Sequence, residues 1–598
     1  MQFQNIYQLF CEQTAEYRGE PVFYSRNLSE PAAAADGSTR QIETWTSQTW
    51  NEFENQVDDF ACALLAKGLT KGASVAILAG NVPEWTIVDV ATIAAGGVGV
   101  GIYPTSSAEQ CAYIINHSDA EFVFVDTEEQ LRKLLSFVVE LEKVKEFIIL
   151  NENPFFSEFK KNKNRKSSSI LDCLNKKAND LFAKNKEIKV PSYKEFLAFG
   201  RQNRAEFLPQ VQAIGNNAES DETAIMVYTS GTTGQPKGAM LSHRYILNSC
   251  ESLKNSVPIF ETDVSFSYLP ACHVAERISG IYNRLYNGAA VYFVDDLTKL
   301  YADMLAVQPT VFASLPRFFE KIYAKVVGEH GKQASEQSLK NAFGGNIRLL
   351  TSGGAPLPNE IADFYAKRNL PILQAYGLTE NICVAFNRAD DFKFGTVGKA
   401  MPSSEIAIAA DGEILVKSSM MFSGYYKDPA KTAEMFDENG WLLTGDLGEL
   451  DADGFLKITG RKKEIIVLSN GKNVAPALVE NLVKENHLIS QCFVSGDGKS
   501  YCIALVTLNR IEVEMFARAN KIDFESFADL IVNEHICHSI AETVAKVNSK
   551  VSSSEQIKKF VILDRDFSAE ADEITPTLKL KRRVVAENFK DLIEDFYR

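Results

Sequence analysis

No two of the chain's ten cysteines are spaced C-x-x-C. Cysteines scattered singly argue for reduced thiols in a cytosolic protein and against a disulfide framework or a zinc knuckle. The nearest approach to a metal cluster is His535, Cys537 and His538, and helical spacing puts Cys537 on a different face from either histidine. Basic charge is scarce too. Lys and Arg number 63 against 78 Asp and Glu, a net charge of −15, which argues against a nucleic-acid partner, since such a surface must neutralise phosphates. Long hydrophobic runs are missing. The most apolar stretch, 90–102, is rich in Gly and Ala and falls short of the ~18 residues a membrane span requires; a core helix leading into a buried strand is expected there. Met1-Gln2-Phe3-Gln4-Asn5 has neither a basic n-region nor an apolar h-region, so no signal peptide is expected. What remains is a 598-residue chain, 45% hydrophobic and 24% charged. That is the composition of ordinary globular proteins, at a length that calls for several domains.

The chain is organised around one stretch. Ile225-Met226-Val227-Tyr228 reads as a buried strand, because a short apolar run bounded by turn residues fits a strand better than a helix. The next ten residues, Thr229 to Gly238, hold three glycines, four hydroxyls, one proline and one lysine. Such a loop can wrap a polyanion: glycines admit backbone N–H groups to phosphate oxygens, hydroxyls add donors, and Lys237 adds positive charge. Ser242 is placed to cap a helix whose apolar face is Ile246, Leu247, Cys250 and Leu253. The loop is not a Walker A sequence, which needs G-x-x-x-x-G-K and then Ser or Thr. A phosphate loop of another enzyme class is indicated.

Elsewhere, apolar runs at 75–78, 122–125 and 147–150 alternate with helical patterns such as Phe53, Val57, Phe60, Ala61 and Leu64. That alternation predicts an α/β fold with parallel sheets. Residues 1–40 read as an exposed lead-in with a loop at 35–38. The basic run Lys160, Lys161, Lys163, Arg165 and Lys166 reads as a solvated insertion, with contact to an anionic membrane surface as the alternative. Two strand-then-loop units follow, 347–351 into Ser352-Gly353-Gly354 and 372–375 (with Gln374 and Ala375) into Tyr376-Gly377-Leu378-Thr379-Glu380. Ligands of open α/β sheets bind beyond the carboxyl ends of strands, and small residues there let a purine slide between backbone and the Tyr376 ring. As a ligand site, Thr379 offers a hydroxyl for an α-phosphate and Glu380 a hard oxygen for Mg²⁺; read alone, each unit is more often a plain turn. Further on, Asp446 and Arg461 can grip a ribose diol, one as acceptor and one as donor, or belong to a hairpin with charged turns. Beyond Arg461 the segments are short strands and helices, such as 491–494 and 501–508.

Residues Tyr228 to Gly238 resemble the signature of the adenylate-forming superfamily, which includes acyl-CoA synthetases, luciferases and adenylation domains of peptide synthetases. The run 101–107 followed by Glu109-Gln110 resembles the long-chain fatty acyl-CoA synthetases in particular. So do Leu269-Pro270 with His273 and Glu276-Arg277, then Leu315-Pro316-Arg317, the block 440–464 and the segment 469–476. No tryptophan occurs at 266–277, so the tryptophan gate of some relatives is not expected. The resemblance implies a large N-terminal region, residues 1–460, of several subdomains with stacked, mostly parallel sheets, and a small mobile α+β C-terminal domain, residues 461–598. It implies ATP and AMP binding by Thr229, Ser230, Gly231, Thr232, Thr233, Gly234, Lys237, Ser352, Gly353, Gly354, Gln374, Ala375, Tyr376, Gly377, Thr379, Asp446 and Arg461. Thr229 and Glu380 would hold Mg²⁺. His273 would stand beside the carboxylate pocket, Glu380 would serve catalysis through the metal, Lys463 would be the hinge, and Lys579 the catalytic lysine, with Leu578 where acetate-type enzymes have glycine and Lys581 two positions on. The implied reaction joins a long-chain fatty acid to CoA through an acyl-adenylate, in the cytoplasm, with peripheral membrane contact left open. Two alternatives remain: a fatty acyl-AMP ligase serving a carrier protein, and a nucleotide-binding protein without catalysis.

Overall fold

The computed structural model describes residues 3–28, 32–33, 39–40, 43–138, 140–150, 190–229, 235–355, 357–568, 571–575 and 580–598. The loop at 35–38, the basic run at 160–166, Ser230, Gly231, Thr232, Thr233, Gly234 and Lys579 lie outside them.

Long apolar runs with no polar alternation are expected of strands buried on both faces, and Ser74–Leu78 and Val98–Ile102 are buried throughout. They form part of a seven-stranded sheet, in which Thr223–Thr229, Val98–Ile102, Ser74–Leu78, Ala120–Val125 and Glu146–Ile149 lie side by side in parallel. The apolar stretch at 90–102 is, as expected, the end of the helix Pro83–Ala94 and the strand Val98–Ile102. Gly99 and Gly101 are required there by close packing: a Cβ would lie 2.0 Å from Asp89 Oδ1 in the first case and 2.6 Å from Cys272 Cβ in the second.

The sequence led straight from the glycine-rich loop to a helix. The structure inserts the strand Lys237–Ser242, which folds back antiparallel on Thr223–Thr229 with Lys237 opposite Thr229. Ala239 and Leu241 are buried in the core, which is why this short segment pairs instead of running on as loop. The helix His243–Ser256 follows, and the Tyr245 amide donates to Ser242 Oγ at 3.1 Å. Ile246, Leu247, Cys250 and Leu253 are its buried face, as expected.

A five-stranded sheet joins Val311–Ser314, Leu349–Ser352 and Ile372–Leu378 in parallel and adds Asn381–Phe386 and Lys399–Ala400 antiparallel. A meander of Ser404–Ile408, Glu413–Ser418, Leu442–Leu450 and Leu456–Arg461 follows. The expected exposed lead-in is corrected. Ile6–Tyr17 is a helix whose Ile6, Leu9 and Phe10 are buried, and Pro21–Leu28 is a strand paired with Glu43–Thr49. Phe10 and Phe23 both pack on Phe53, with ring centroids 5.1 and 4.8 Å apart, so these apolar residues pair with a helix far along the chain.

Past Arg461, Ile489–Ser495, Cys502–Leu508 and Ile557–Ile562 form a three-stranded sheet, matching the strands expected at 491–494 and 501–508. The buried apolar residues from Ile466 to Ile593 cluster with one another and not with those of Phe3 to Leu456. Among the described residues no helix is long and apolar enough to cross a membrane.

The first helix is anchored by His243, a buried imidazole whose Nδ1 accepts the Ile6 amide at 3.2 Å. Burial pushes its pKa from 6.5 down to about 4, against a smaller opposing pull from Glu222. Between those values the unfolded chain binds a proton that the folded one refuses, so the stabilisation is complete above pH 6.5 and is lost as pH falls toward 4. His243→Gln keeps an acceptor for Ile6 but cannot titrate. Thermal melts from pH 7 to 4.5 should therefore fall less steeply for the variant than for the wild type; parallel curves would refute the role of His243.

Candidate active site

Three groups of side chains meet at the ends of these strands. The first surrounds the hairpin. Thr229 and Lys237 are register partners at its loop end, and Lys237 Nζ lies 4.9 Å from the centroid of the Tyr425 ring. The Tyr425 hydroxyl donates to Glu380 Oε1. Burial, reinforced by the Glu380 charge, pushes the Tyr425 pKa far up, so the hydroxyl stays a donor. Glu380 is buried, with 8% of its surface exposed, and among the described residues its Oε2 makes no hydrogen bond. Tyr245, fully buried, fixes the turn that carries it: its hydroxyl donates to the Thr379 carbonyl at 3.0 Å and accepts the Ile382 amide at 2.9 Å.

The second group lies across the parallel pair Leu349–Ser352 and Ile372–Leu378, where Ser352 faces Gln374. A Cβ on Gly353 would come within 3.6 Å of the Ala375 carbonyl, and one on Gly377 would lie 1.8 Å from the Ile382 carbonyl. Backbone packs tightly only at Gly377; Gly353 is in ordinary contact. Gln374 Oε1 accepts the Leu357 amide at 3.1 Å. Ser352 Oγ is buried and unpaired among the described residues.

The third group joins Tyr376, Asp446 and Arg461. The Tyr376 hydroxyl donates to Asp446 Oδ2 at 2.7 Å, and Arg461 Nε lies 2.9 Å from Oδ1. Asp446 and Arg461 are register partners on adjacent strands, so the pairing follows from the hairpin itself. The Asp446 side chain is 7% exposed and that of Arg461 51%. Burial opposes the Arg461 charge, yet Asp446, with Glu464, Tyr376 and Glu380 beyond it, holds its pKa above the usual value. The Glu380 charge therefore reaches the third group. Glu434 shows the same convergence on the other side: Lys431, then Lys237 and Lys463, hold its carboxylate below the usual range.

The chain matches two families: the AMP-binding enzyme family over residues 28–426 and the AMP-binding enzyme C-terminal domain over residues 463–598. It belongs to the AMP-binding enzymes. It is 33% identical to the long-chain-fatty-acid–CoA ligase FadD15 of Mycobacterium bovis, over 92% of each chain. To the long-chain-fatty-acid–CoA ligase ACSBG2 of Xenopus laevis it is 29% identical, over 94% of this chain and 81% of the other. Among solved structures, it shares the fold of the adenylation domain of a carboxylate reductase from Mycobacterium chelonae, with a TM-score of 0.79 at 22% identity, over 99% of this chain and 91% of that one.

In this AMP-binding enzyme the structure brings Thr229, Lys237 and Glu380 together, then Ser352, Gly353, Gln374 and Ala375, then Tyr376, Asp446 and Arg461. Lys463 is exposed in the short 3-10 turn Lys462–Glu464. The flanks of Lys579 pack into the C-terminal core, with Ile574 bridging Leu580 and Lys581 paired to Asp572. His273 opens the π-helix Ala275–Tyr282, half-buried, and its Nδ1 accepts the Ala275 amide at 3.2 Å. That bond leaves a proton for Nε2 in the neutral ring. Tyr425 and Tyr245 were not singled out in the sequence. Each acts through one hydroxyl on a residue 45 or more positions away, and no local spacing carries that.

Glu276 and Arg277, part of the motif with His273, serve the core. Arg277 is fully buried, its guanidinium paired with Asp89 and donating to the Met226 carbonyl at 3.3 Å, while the Tyr282 hydroxyl donates to Asp89 at 2.7 Å. Glu276 takes Ser267 and Arg284 at 2.8 Å each. Removing one partner of a buried pair strands the other charge, at a cost of about 3–5 kcal/mol. Arg277→Leu should lower the urea midpoint for unfolding by that equivalent, whereas His273→Ala should leave it nearly unchanged; equal effects would mean that the two residues share one role.

Proposed function

We propose that this enzyme activates a long-chain fatty acid with ATP to an acyl-adenylate and transfers the acyl group to CoA, releasing AMP and pyrophosphate. The observation that carries this reading is the meeting of Lys237, Glu380 and the Tyr376–Asp446–Arg461 cluster at the strand ends in a chain whose curated relatives are named long-chain-fatty-acid–CoA ligases.

In this reading the adenine lies between the Ser352-Gly353-Gly354 and Gln374-Ala375 backbones and the Tyr376 ring, with Gly377 keeping the turn tight. The ribose hydroxyls donate to Asp446, whose carboxylate has about four acceptor sites and so can serve them as well as Tyr376 and Arg461. Thr379 contacts the α-phosphate. The loop Thr229 to Gly234 and Lys237 take the outer phosphates, as backbone N–H groups and a lysine do in phosphate loops. Glu380 and Thr229 would hold Mg²⁺: a buried carboxylate whose second oxygen makes no hydrogen bond among the described residues, and a hydroxyl, are the hard donors this ion prefers. When bound, that ion neutralises charge on the phosphates.

A fatty acid carboxylate oxygen attacks the α-phosphorus, the bond to the β-phosphate oxygen breaks, and pyrophosphate leaves with the electron pair. Lys237 and Lys579 offset the charge that builds there; losing one preorganised donor of this kind costs about 3–4 kcal/mol, a hundred-fold or more. His273 stands beside the acid's carboxylate. The CoA sulfur then attacks the acyl carbon and AMP departs. Lys579 would obstruct that thiol, so the small domain, residues 461–598, turns about Lys463 between the two steps. The separate apolar cores on either side of Arg461 and the family matches ending at 426 and resuming at 463 support a boundary there.

With palmitate, α-labelled ATP should yield AMP and pyrophosphate. Lys579→Ala should lose about a hundred-fold or more in adenylation while still making thioester from supplied acyl-AMP. ADP as product overturns the reading. Acyl-AMP that accumulates and never passes to CoA points to a carrier-protein acceptor.

A further inference from the structure

The segment after Phe422 is an edge strand on the phosphate-loop hairpin. The Ser423 amide donates to the Met240 carbonyl at 2.9 Å and the Tyr426 amide to the Gly238 carbonyl at 2.8 Å, which sets Tyr425 opposite Ala239. The Tyr425 amide is itself bound by Thr432 Oγ1 at 2.9 Å, and its ring meets Phe422 edge-on at 5.0 Å. A side chain held on its backbone and on one ring edge has little freedom left, and two functional groups use it. Lys237 Nζ rests over its face at 4.9 Å, and Glu380 Oε1 takes its hydroxyl.

The neighbours extend the grip. The Tyr426 hydroxyl donates to Asp119 at 2.8 Å, and Lys427 Nζ donates to the His117 carbonyl at 3.0 Å. His117 Nδ1 in turn shares a 2.8 Å hydrogen bond with the hydroxyl of Tyr228, one residue before Thr229. Both ends of the phosphate loop are thus tied to three consecutive residues of a distant segment.

We propose that Tyr425 is a positioning residue for adenylation: its hydroxyl occupies one oxygen of Glu380 and turns the other toward the cation, while its ring sets the Lys237 ammonium on the same side. The inference rests on the function proposed above. An O–H donor to a carboxylate is a short, charge-assisted bond, and losing such a partner of a metal-binding carboxylate typically costs ten- to a hundred-fold in metal affinity or activity.

Tyr425→Phe keeps the ring and removes only the hydroxyl. ATP binding should be followed calorimetrically, without fatty acid, across Mg²⁺ concentrations, for the wild type, Tyr425→Phe, Glu380→Gln and the double variant. The Mg²⁺ concentration for half-maximal ATP affinity should rise about ten- to a hundred-fold in Tyr425→Phe, with thioester formation from supplied acyl-AMP retained. The double variant should match Glu380→Gln within about two-fold, because Tyr425 acts through that carboxylate. Tyr425→Leu, which also removes the ring beneath Lys237, should in addition weaken ATP binding when Mg²⁺ is absent. Additive losses in the double variant, or wild-type Mg²⁺ dependence in Tyr425→Phe beside an impaired Glu380→Gln, overturn the proposal and leave the function standing. Wild-type Mg²⁺ dependence in Glu380→Gln removes the metal role of Glu380 on which both rest.

Discussion

A carboxylate withdrawn from water must be given partners, because an ionised group in a poorly hydrated site is costly unless it is hydrogen-bonded or paired. Glu380 is such a group. It is almost wholly buried, and among the described residues its one side-chain donor is Tyr425. Its surroundings serve that condition in two ways. Tyr245 holds both sides of its turn, so the carboxylate does not swing to water, and Lys237 is kept near by the same tyrosine ring that donates to it. Among the described residues Glu380 keeps its second oxygen unbonded. Full satisfaction, as at Asp89 with Arg277 and Tyr282, makes a structural pair instead.

Other buried charged residues are paired within the core. Asp89 takes Arg277 and Tyr282 on its two oxygens, and Glu276 takes Ser267 and Arg284 on Oε1. Asp446 sits between the two kinds. Its oxygens hold Tyr376 and Arg461, but the Arg461 side chain is half exposed, so the cluster opens on solvent at one edge.

The strand-and-loop order was legible in the sequence because it rests on local pattern. Apolar runs such as 75–78 and 122–125 can only be buried strands, and the glycines, hydroxyls and lysine of 229–238 suit nothing so well as a polyanion. Ser242 as a cap, the buried face of the helix after it, and the strands at 491–494 and 501–508 follow from the same short-range rules. What was hidden depends on register and on distant partners. The strand Lys237–Ser242 exists because Thr223–Thr229 offers it an edge, and the strand Ile372–Leu378 runs past Tyr376 because Asn381–Phe386 folds back on it. The N-terminal helix read as an exposed lead-in because its apolar residues pair with Phe53 and its neighbours, which sequence distance conceals. Tyr425 was invisible for the same reason, since nothing in Gly424-Tyr425-Tyr426 announces a carboxylate 45 positions earlier.

Antiparallel additions to parallel sheets are what turn these strand ends into a site. In a purely parallel sheet the carboxyl ends would be spaced evenly and joined only through helices, which leaves side chains on neighbouring strands to meet by chance. Here each large sheet ends in a hairpin that returns toward the same edge. One return strand places Lys237 opposite Thr229; the other carries the chain from Glu380 back along Tyr376. The meander repeats the device by setting Arg461 opposite Asp446. Two of these hairpins set a pair directly, Thr229 with Lys237 and Asp446 with Arg461, while the other sets Tyr376 opposite Ala385 and carries Glu380 in its turn. Tyr425, on the edge strand beside the first hairpin, and Tyr376, reaching from the second to the third, then need only one hydroxyl each to lock the pairs together.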